Sequence, residues 1–298
     1  MNVKEFMGLI RAWSLPMTLT ALLLGFSYAY YLGYVATYYG VLYWLIASVG
    51  ALLLHMSVNV LNDYYDTVNG VDRADSPTAK YRVHPILSGV VTPCFARNLG
   101  FLLMTLGIAA GLYVAIVEVN PWIVILGSMG VFILYAYTGK PFTIKYRGFG
   151  ELVVSLVYGP LLVSGGFVAA SMRAPGVDVI VVSMPLFLIT LAIIYSNYYR
   201  DRDYDRSAGI KTLAMLTSGY GYTIYASSLV LAFLAVILMT ALKLLPMTTL
   251  MVIATAPLLP GLLRDFRIVA ADIDARTGRL YILFSILYSV GLILSRLL

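Results

Sequence analysis

The chain has 298 residues, 61% of them hydrophobic and only 11% charged, with a mean hydropathy of +0.88. This balance excludes an ordinary soluble domain and points to a polytopic membrane protein, in which a formal charge of +6 reflects basic loops at one membrane face and not nucleic-acid binding. A single cysteine, Cys94, excludes an intramolecular disulfide framework, and two histidines, His55 and His84, are too few for a histidine-built metal or haem-pair site.

Residues 1–14 set Phe6, Leu9, Ile10 and Trp13 against Lys4, Glu5 and Arg11, the pattern of a short helix lying in the membrane interface. No small-residue cleavage site follows, so the next apolar run reads as a first transmembrane helix and not a signal peptide. Counting apolar runs long enough to span a bilayer gives nine helices: 15–34, 41–62, 97–117, 121–138, 149–171, 178–200, 219–242, 246–264 and 278–297. With the N-terminus and alternate loops placed in the cytoplasm, all but three of the 20 basic residues lie inside; Arg173, Lys243 and Arg296 are the exceptions. That bias predicts a cytoplasmic N-terminus and an outer C-terminus. The expected fold is all-α and integral to the membrane: one domain, 1–298, with nine helices around a central cavity. Helices 1–4 and 5–8 read as two parallel repeats with helix 9 extra, and cytoplasmic loops cap the site.

Two polar stretches stand out at the cytoplasmic ends of helices 2 and 6. The first runs from Asn59 to Asp72 and the second from Asn197 to Asp205. If the second helix continues into its stretch, Asn59, Asp63 and Asp66 share one face, with Asn62 and Asp66 on an overlapping one. Asn197, Asp201 and Asp205 repeat in the same way. Like charges at a helix C-terminus, where the dipole is already negative, call for a cation. The two clusters are expected to face each other across one cavity. Opposed carboxylates and amides suit Mg2+, a hard cation that takes oxygen ligands and is shared with substrate phosphates. Around them stand Arg73, Lys80, Arg82, Tyr137, Lys145, Arg200 and Lys211. Acids for a divalent cation surrounded by bases read as a diphosphate site. Its position at helix ends leaves an apolar tail among the helices, so the implied substrate is a lipid diphosphate. A cation-coupled transporter is the competing class, but transporter sites lie near the midplane at broken helices, often between inverted repeats. Gly50 in helix 2 and Pro185 in helix 6 lie well before the clusters, and no Gly or Pro interrupts the turns that lead into them.

Three stretches carry a family resemblance. Asn62-Asp63-Tyr64-Tyr65-Asp66 is followed by Gly70-Val71-Asp72. Tyr137-Thr138-Gly139 with Pro141 is followed by Gly148-Phe149-Gly150-Glu151 and Gly159-Pro160. The third runs from Arg200-Asp201-Arg202-Asp203-Tyr204-Asp205 through Gly209 and Lys211-Thr212-Leu213. Together they resemble the UbiA family of intramembrane prenyltransferases, and within it the branch that prenylates 1,4-dihydroxy-2-naphthoate for menaquinone. Asp203 stands where that branch usually has Glu, and Lys140 where a second Gly is common.

The resemblance implies that Asn62, Asp63, Asp66, Asp201 and Asp205 hold a magnesium-diphosphate. It implies that Asn59, Arg82, Tyr137, Lys145 and Lys211 contact the phosphates, with Arg200 beside them. The reaction implied is ionisation of an allylic polyprenyl diphosphate and attack by an aromatic carbon. Other acceptors open to the same chemistry are a glycerol-phosphate ether lipid, a 4-hydroxybenzoate-like ring and a porphyrin-type acceptor. Lys145, Asp66 and Asp72 are the catalytic candidates, Asp72 or Asp66 taking the acceptor's proton. Tyr64, Tyr65, Tyr198 and Tyr199 are placed to stabilise the carbocation by cation–π contact. The expected setting is the plasma membrane of a prokaryote, with the bilayer, the diphosphate and the acceptor as partners and no obligate protein partner. His55, one turn before Asn59, reads as a hydrogen-bonded residue inside a span; His84 reads as a surface loop residue. Glu151 sits where a helix N-terminus favours a carboxylate. Cys94 has no partner in sequence that would make it catalytic.

Overall fold

The computed structural model describes residues 1–35, 37–74, 76, 82–207 and 209–298; Asp75 and Lys80 of the second loop lie outside the described residues. Among the described residues nine helices are long and apolar enough to cross a bilayer. They are α1 (Ala12–Tyr31), α2 (Tyr38–Val68), α3 (Pro93–Glu118), α4 (Pro121–Thr138), α5 (Gly150–Ser171), α6 (Val177–Ser207), α7 (Ser218–Ala241), α8 (Met247–Arg267) and α9 (Ile273–Leu297). Local chemistry sets several of their starts. The short interfacial helix Val3–Leu9 opens with a capping box between Asn2 and Glu5. Thr92 accepts from the Phe95 N–H ahead of Pro93, and Asn120 from the Trp122 N–H ahead of Pro121.

The two helices that carry the polar stretches are the longest. α2 and α6 have 31 residues each, about 46 Å at 1.5 Å per residue. The hydrocarbon core is only about 30 Å thick, so their polar ends project as intact helix beyond it. Both outrun the expected ends at residues 62 and 200, because hydropathy falls there while the i, i+4 polar pattern keeps the backbone helical.

Both helices also stop in the same way. Gly70 (φ 73°) and Gly209 (φ 72°) take the left-handed conformation that closes a helix. The next N–H, Val71 or Ile210, bonds back to the carbonyl of Asp66 or Asp205, each at 2.9 Å. At this one register Asn62 and Asp66 correspond to Asp201 and Asp205, Gly70 to Gly209, and Asp72 to Lys211. The two parallel repeats are therefore visible in backbone detail at the site.

α1 is the hub of the bundle, packing on α5 and α9, while α2 pairs with α3 and α6 with α7 and α9. The α1–α5 crossing is close enough that a Cβ on Gly25 would strike the Val163 carbonyl, and one on Gly166 the Leu22 carbonyl. In α5 one turn widens to π geometry at Val157–Leu161, where Pro160 lacks an N–H. The main apolar core lies among α1, α5, α6, α7 and α9; a smaller one joins the interfacial helix, α2, α3 and residues 86–91.

Candidate active site

The polar end of α2 presents two adjacent i, i+4 rows, not one face. Asn59 and Asp63 turn toward the N-terminal segment. The Asn59 Nδ2 donates to the Ile10 carbonyl (2.9 Å) and lies 3.3 Å from the Ser14 Oγ. Asp63, fully buried, receives Arg11 and Arg82 on the same Oδ1, each at 2.5 Å. Arg11 sits at the entry to α1 in a left-handed conformation, φ 50°.

Asn62 and Asp66 turn toward the loop between α4 and α5. Lys145, from the loop between α4 and α5, reaches the Asp66 Oδ2 at 2.5 Å and the Asn62 Oδ1 at 3.2 Å. The Tyr146 hydroxyl donates to the other Asp66 oxygen. Burial alone would lower the Lys145 ammonium, but Asp66 beside it outweighs burial and holds it well above the usual lysine range. Burial first, and then Asp66, raise the Tyr146 phenol.

Lys145 also faces the second cluster. With Asp72, Asn197, Tyr198, Asp201, Tyr204 and Asp205 it lines a cavity of about 60 Å³, closed by Val71 and Ile210. Lys145, bound to Asn62 and Asp66, thus also borders the space lined by Asp201 and Asp205, where Asp72 joins it from the end of α2. Asp205 is 8% exposed and its Oδ2 is buried without a hydrogen-bond partner. Asp201 is bound by Arg200 through two contacts of 2.9 and 3.0 Å. Arg200 reaches on to Asp274 (3.0 Å) and the Ala271 carbonyl (2.6 Å), tying α6 to the start of α9. The Tyr137 and Tyr198 hydroxyls lie 2.9 Å apart.

Loops stitch the site shut. The Tyr204 hydroxyl donates to the Val71 carbonyl (2.8 Å), and the Lys211 N–H to the Tyr146 carbonyl (3.2 Å). Glu151, fully buried at the start of α5, accepts the Ala214 N–H at 3.0 Å and so holds the loop after Lys211. The Lys211 side chain itself is exposed. Among the aromatic candidates Tyr198 lines the cavity, whereas Tyr199 packs into the core against Phe266 at 4.9 Å.

His84 is not a surface residue. It is 3% exposed, with Nε2 3.1 Å from the Asp72 Oδ2. Burial would raise the Asp72 carboxyl, but the His84 hydrogen bond and Lys145 bring it below its ordinary value. Asp63, Asp72 and His84 each bring one ligand atom within 4.8 Å of the others. Two observations argue against a metal there. The His84 Nδ1 accepts the Leu87 N–H (3.3 Å), so the proton of the neutral ring sits on Nε2 and points at Asp72. Asp63 already carries two guanidinium groups. His55, by contrast, is the hydrogen-bonded intramembrane residue expected: its ring lies 2.7 Å from the Thr18 hydroxyl, 3.1 Å from Ser14 and 3.0 Å from Tyr158.

Nine spans among the described residues, with two acidic helix ends and a half-buried lysine gathered at one end, define an integral membrane protein with a polar site at one end of an apolar bundle. A model of the UbiA prenyltransferase family matches residues 23–288. Rat UbiA prenyltransferase domain-containing protein 1 (Rattus norvegicus) is 30% identical over 293 residues, covering 96% of this chain and 82% of that protein. The 1,4-dihydroxy-2-naphthoate octaprenyltransferase of Bacillus subtilis (strain 168) is 32% identical over 241 residues, covering 78% of this chain and 74% of the relative. A solved structure of digeranylgeranylglyceryl phosphate synthase superposes with a TM-score of 0.64, covering 98% of each chain at 19% identity, which supports the fold. The chain belongs to the UbiA prenyltransferase family and is a prenyltransferase.

Proposed function

We propose that this protein transfers a polyprenyl group from an allylic polyprenyl diphosphate to 1,4-dihydroxy-2-naphthoate, in a Mg2+-dependent step of menaquinone synthesis at the cytoplasmic face of a membrane. The observation that carries this reading is Lys145 held between two equivalent acidic rows, Asn62/Asp66 and Asp201/Asp205. The naphthoate acceptor is supported by the Bacillus relative and by the Gly70-Val71-Asp72 form of the first motif.

The donor set fits magnesium. Asn62, Asp66, Asp201 and Asp205 offer only hard oxygen ligands, and the buried, unpartnered Asp205 Oδ2 is an acceptor in want of a cation. Asp63 is first the anchor of Arg11 and Arg82, which share its Oδ1, while its Oδ2, like that of Asp205, is buried without a hydrogen-bond partner. Bound Mg2+ would neutralise charge on the diphosphate and make it a better leaving group.

The chain's own residues do the rest. Lys145 and Arg82, half-buried cations beside the acids, neutralise the departing phosphates. Tyr137, linked to Tyr198, supplies a hydroxyl, and the exposed Lys211 is placed to close over the phosphates from the loop after α6. Asn59 and Arg200 act from behind, one tying α2 to the N-terminal segment and the other tying Asp201 to α9. The Tyr198 ring faces the space where the allylic cation forms. Asp72 takes the acceptor's hydroxyl proton, and the apolar bundle keeps water from the cation.

The test is incubation of purified protein in detergent with Mg2+, geranylgeranyl diphosphate and the naphthoate, followed by mass spectrometry, alongside Asp66→Ala and Asp201→Ala. Prenylated naphthoquinol from the wild type alone, abolished by chelation, is the expected result. Diphosphate consumption with product only on a glycerol-phosphate or hydroxybenzoate acceptor would replace the acceptor. No consumption with any acceptor would overturn the reading.

A further inference from the structure

The segment between α2 and α3 carries a buried pair outside both acidic rows. Asp72 follows the glycine that ends α2, and its N–H bonds to the Asp66 carbonyl at 3.0 Å, so its backbone is fixed to the helix end. Its carboxylate is 7% exposed and lines the cavity beside Lys145 and Asp205. The remaining freedom is rotation of the side chain, and His84 removes it through the 3.1 Å contact to Oδ2.

Both ring nitrogens of the imidazole are engaged. The Leu87 N–H donates to Nδ1 at 3.3 Å, which leaves the ring proton on Nε2, aimed at Asp72. The His84 carbonyl accepts from the Ser88 N–H (3.0 Å) and the Ser88 Oγ (2.7 Å), and Gly89 (φ 74°) closes the turn. A histidine with one tautomer, one rotamer and one carboxylate partner has the arrangement by which an imidazole orients a reacting acid. The equivalent register after α6 holds Lys211, exposed and without such a partner histidine in its loop, so the pair belongs to one side of the cavity only.

We infer that His84 is a positioning residue for the transfer reaction: by holding Oδ2 of Asp72 it fixes that carboxylate at the acceptor side of the cavity. This rests on the prenyl-transfer reading above. There the allylic C–O bond breaks and the diphosphate leaves with its electron pair. The acceptor's hydroxyl proton moves to the Asp72 carboxylate, and the O–H electron pair feeds the ring. The ring carbon that bonds the allylic carbon then sheds its carboxyl group as CO2, or its proton to water, to restore the aromatic ring, Asp72 returning the proton to the oxygen. A misplaced Asp72 slows capture of the allylic cation by the ring without weakening the grip on the diphosphate. Some of the ionised diphosphate is then lost to water.

The test measures prenylated product and released diphosphate separately for the full-length protein in detergent, with Mg2+, geranylgeranyl diphosphate and the naphthoate. His84→Leu is expected to lower kcat for product roughly 10- to 100-fold, the range typical of hydrogen-bond partners one shell out. KM for the diphosphate should stay unchanged, and released diphosphate should exceed product. His84→Gln, whose amide N–H extends to the Nε2 position, should recover most of the loss; His84→Asn, whose amide stops at the Nδ1 position, should not. In an Asp72→Asn background His84→Leu should add little, because the two act through one group. Wild-type kcat and matched product and diphosphate in His84→Leu would overturn the inference. So would Gln and Asn variants that are equally impaired, which also covers the case in which the leucine variant fails to fold. An inactive wild type with every acceptor would instead remove the transfer reading, and this inference with it.

Discussion

Asp63 and Asp66 stand three positions apart, which turns them by about 60° around α2. That turn sends Asp63 to Arg11 and Arg82 and Asp66 to Lys145. The two carboxylates should therefore fail differently. Asp66→Asn and Asp205→Asn are each expected to cut product formation by at least about 100-fold, the scale of a lost electrostatic contact to a developing charge. Asp205→Asn should change thermal unfolding little, whereas Asp66→Asn should also lower it, because Lys145 loses its counter-charge. Asp63→Asn should mainly destabilise, because two guanidinium groups lose their counter-charge. The loss should stay below the roughly 3–5 kcal/mol of a fully buried pair, since Arg11 is 24% and Arg82 15% exposed. A melting temperature unmoved by Asp63→Asn would count against the anchoring role. Asp203, 79% exposed and only 4.0 Å from Arg206, is the internal control, and Asp203→Ala should leave turnover and stability near wild type. Lys145 adds a pH signature. Its ammonium is raised, so the contact with Asp66 contributes fully at neutral pH and is lost only as pH climbs beyond the ordinary lysine value, about 10.4. Melting curves of wild type and Lys145→Met should accordingly differ at pH 7 and converge at strongly alkaline pH.

At the scale of elements, neighbouring glycines separate packing from conformation. A Cβ on Gly166 would strike the Leu22 backbone in α1, whereas one on Gly165 meets nothing within 4 Å. Gly166→Ala is expected to cost about 1–3 kcal/mol by overpacking, and Gly165→Ala to be neutral or slightly stabilising; detergent melting curves of the pair decide it. The existence of every span was legible in the sequence, since an apolar run of bilayer length is rarely anything but a transmembrane helix. The ends of α2 and α6 were less so. Hydropathy falls at residues 62 and 200, and only the polar i, i+4 spacing signalled that helix continues to Val68 and Ser207. Asn62 with Asp66, and Asp201 with Asp205, could each be placed on one helix face because that spacing is local, whereas spacing alone does not set how the two helices face each other. The fate of Asp63 and Asn59 could not, because their partners Arg11, Ile10 and Ser14 come from the entry to α1. His84 stands next to the apolar Val83, Pro85, Ile86 and Leu87, a hint of burial that its place in a polar loop masked, and nothing local pairs it with Asp72 at the far end of the same loop.

For the whole molecule the decisive question is which membrane face carries the site. An odd number of spans puts the chain ends on opposite faces, and the basic residues favour the side of the acid rows. Two of the three exceptions are engaged at the other end of the bundle. Arg173 lies over the Tyr34 ring at 4.2 Å, and Arg296 lies over Tyr30 at 5.6 Å while donating to the Tyr30 carbonyl at 3.1 Å. Arginines stacked on tyrosines near helix ends act as interfacial anchors, so their presence there does not argue against the orientation. Cys94 provides a native probe. It is the sole cysteine, it is exposed, and it stands in the first turn of α3 on the face of the acid rows. A membrane-impermeant maleimide should leave it unlabelled in intact cells and label it in inverted vesicles. In a Cys94→Ser background, Lys243→Cys, in the turn after α7, should show the reverse. Labelling of Cys94 from outside intact cells would invert the whole chain and put the diphosphate site on the wrong side of the membrane for a cytoplasmic substrate. The proposed function would then need a diphosphate delivered from the opposite face.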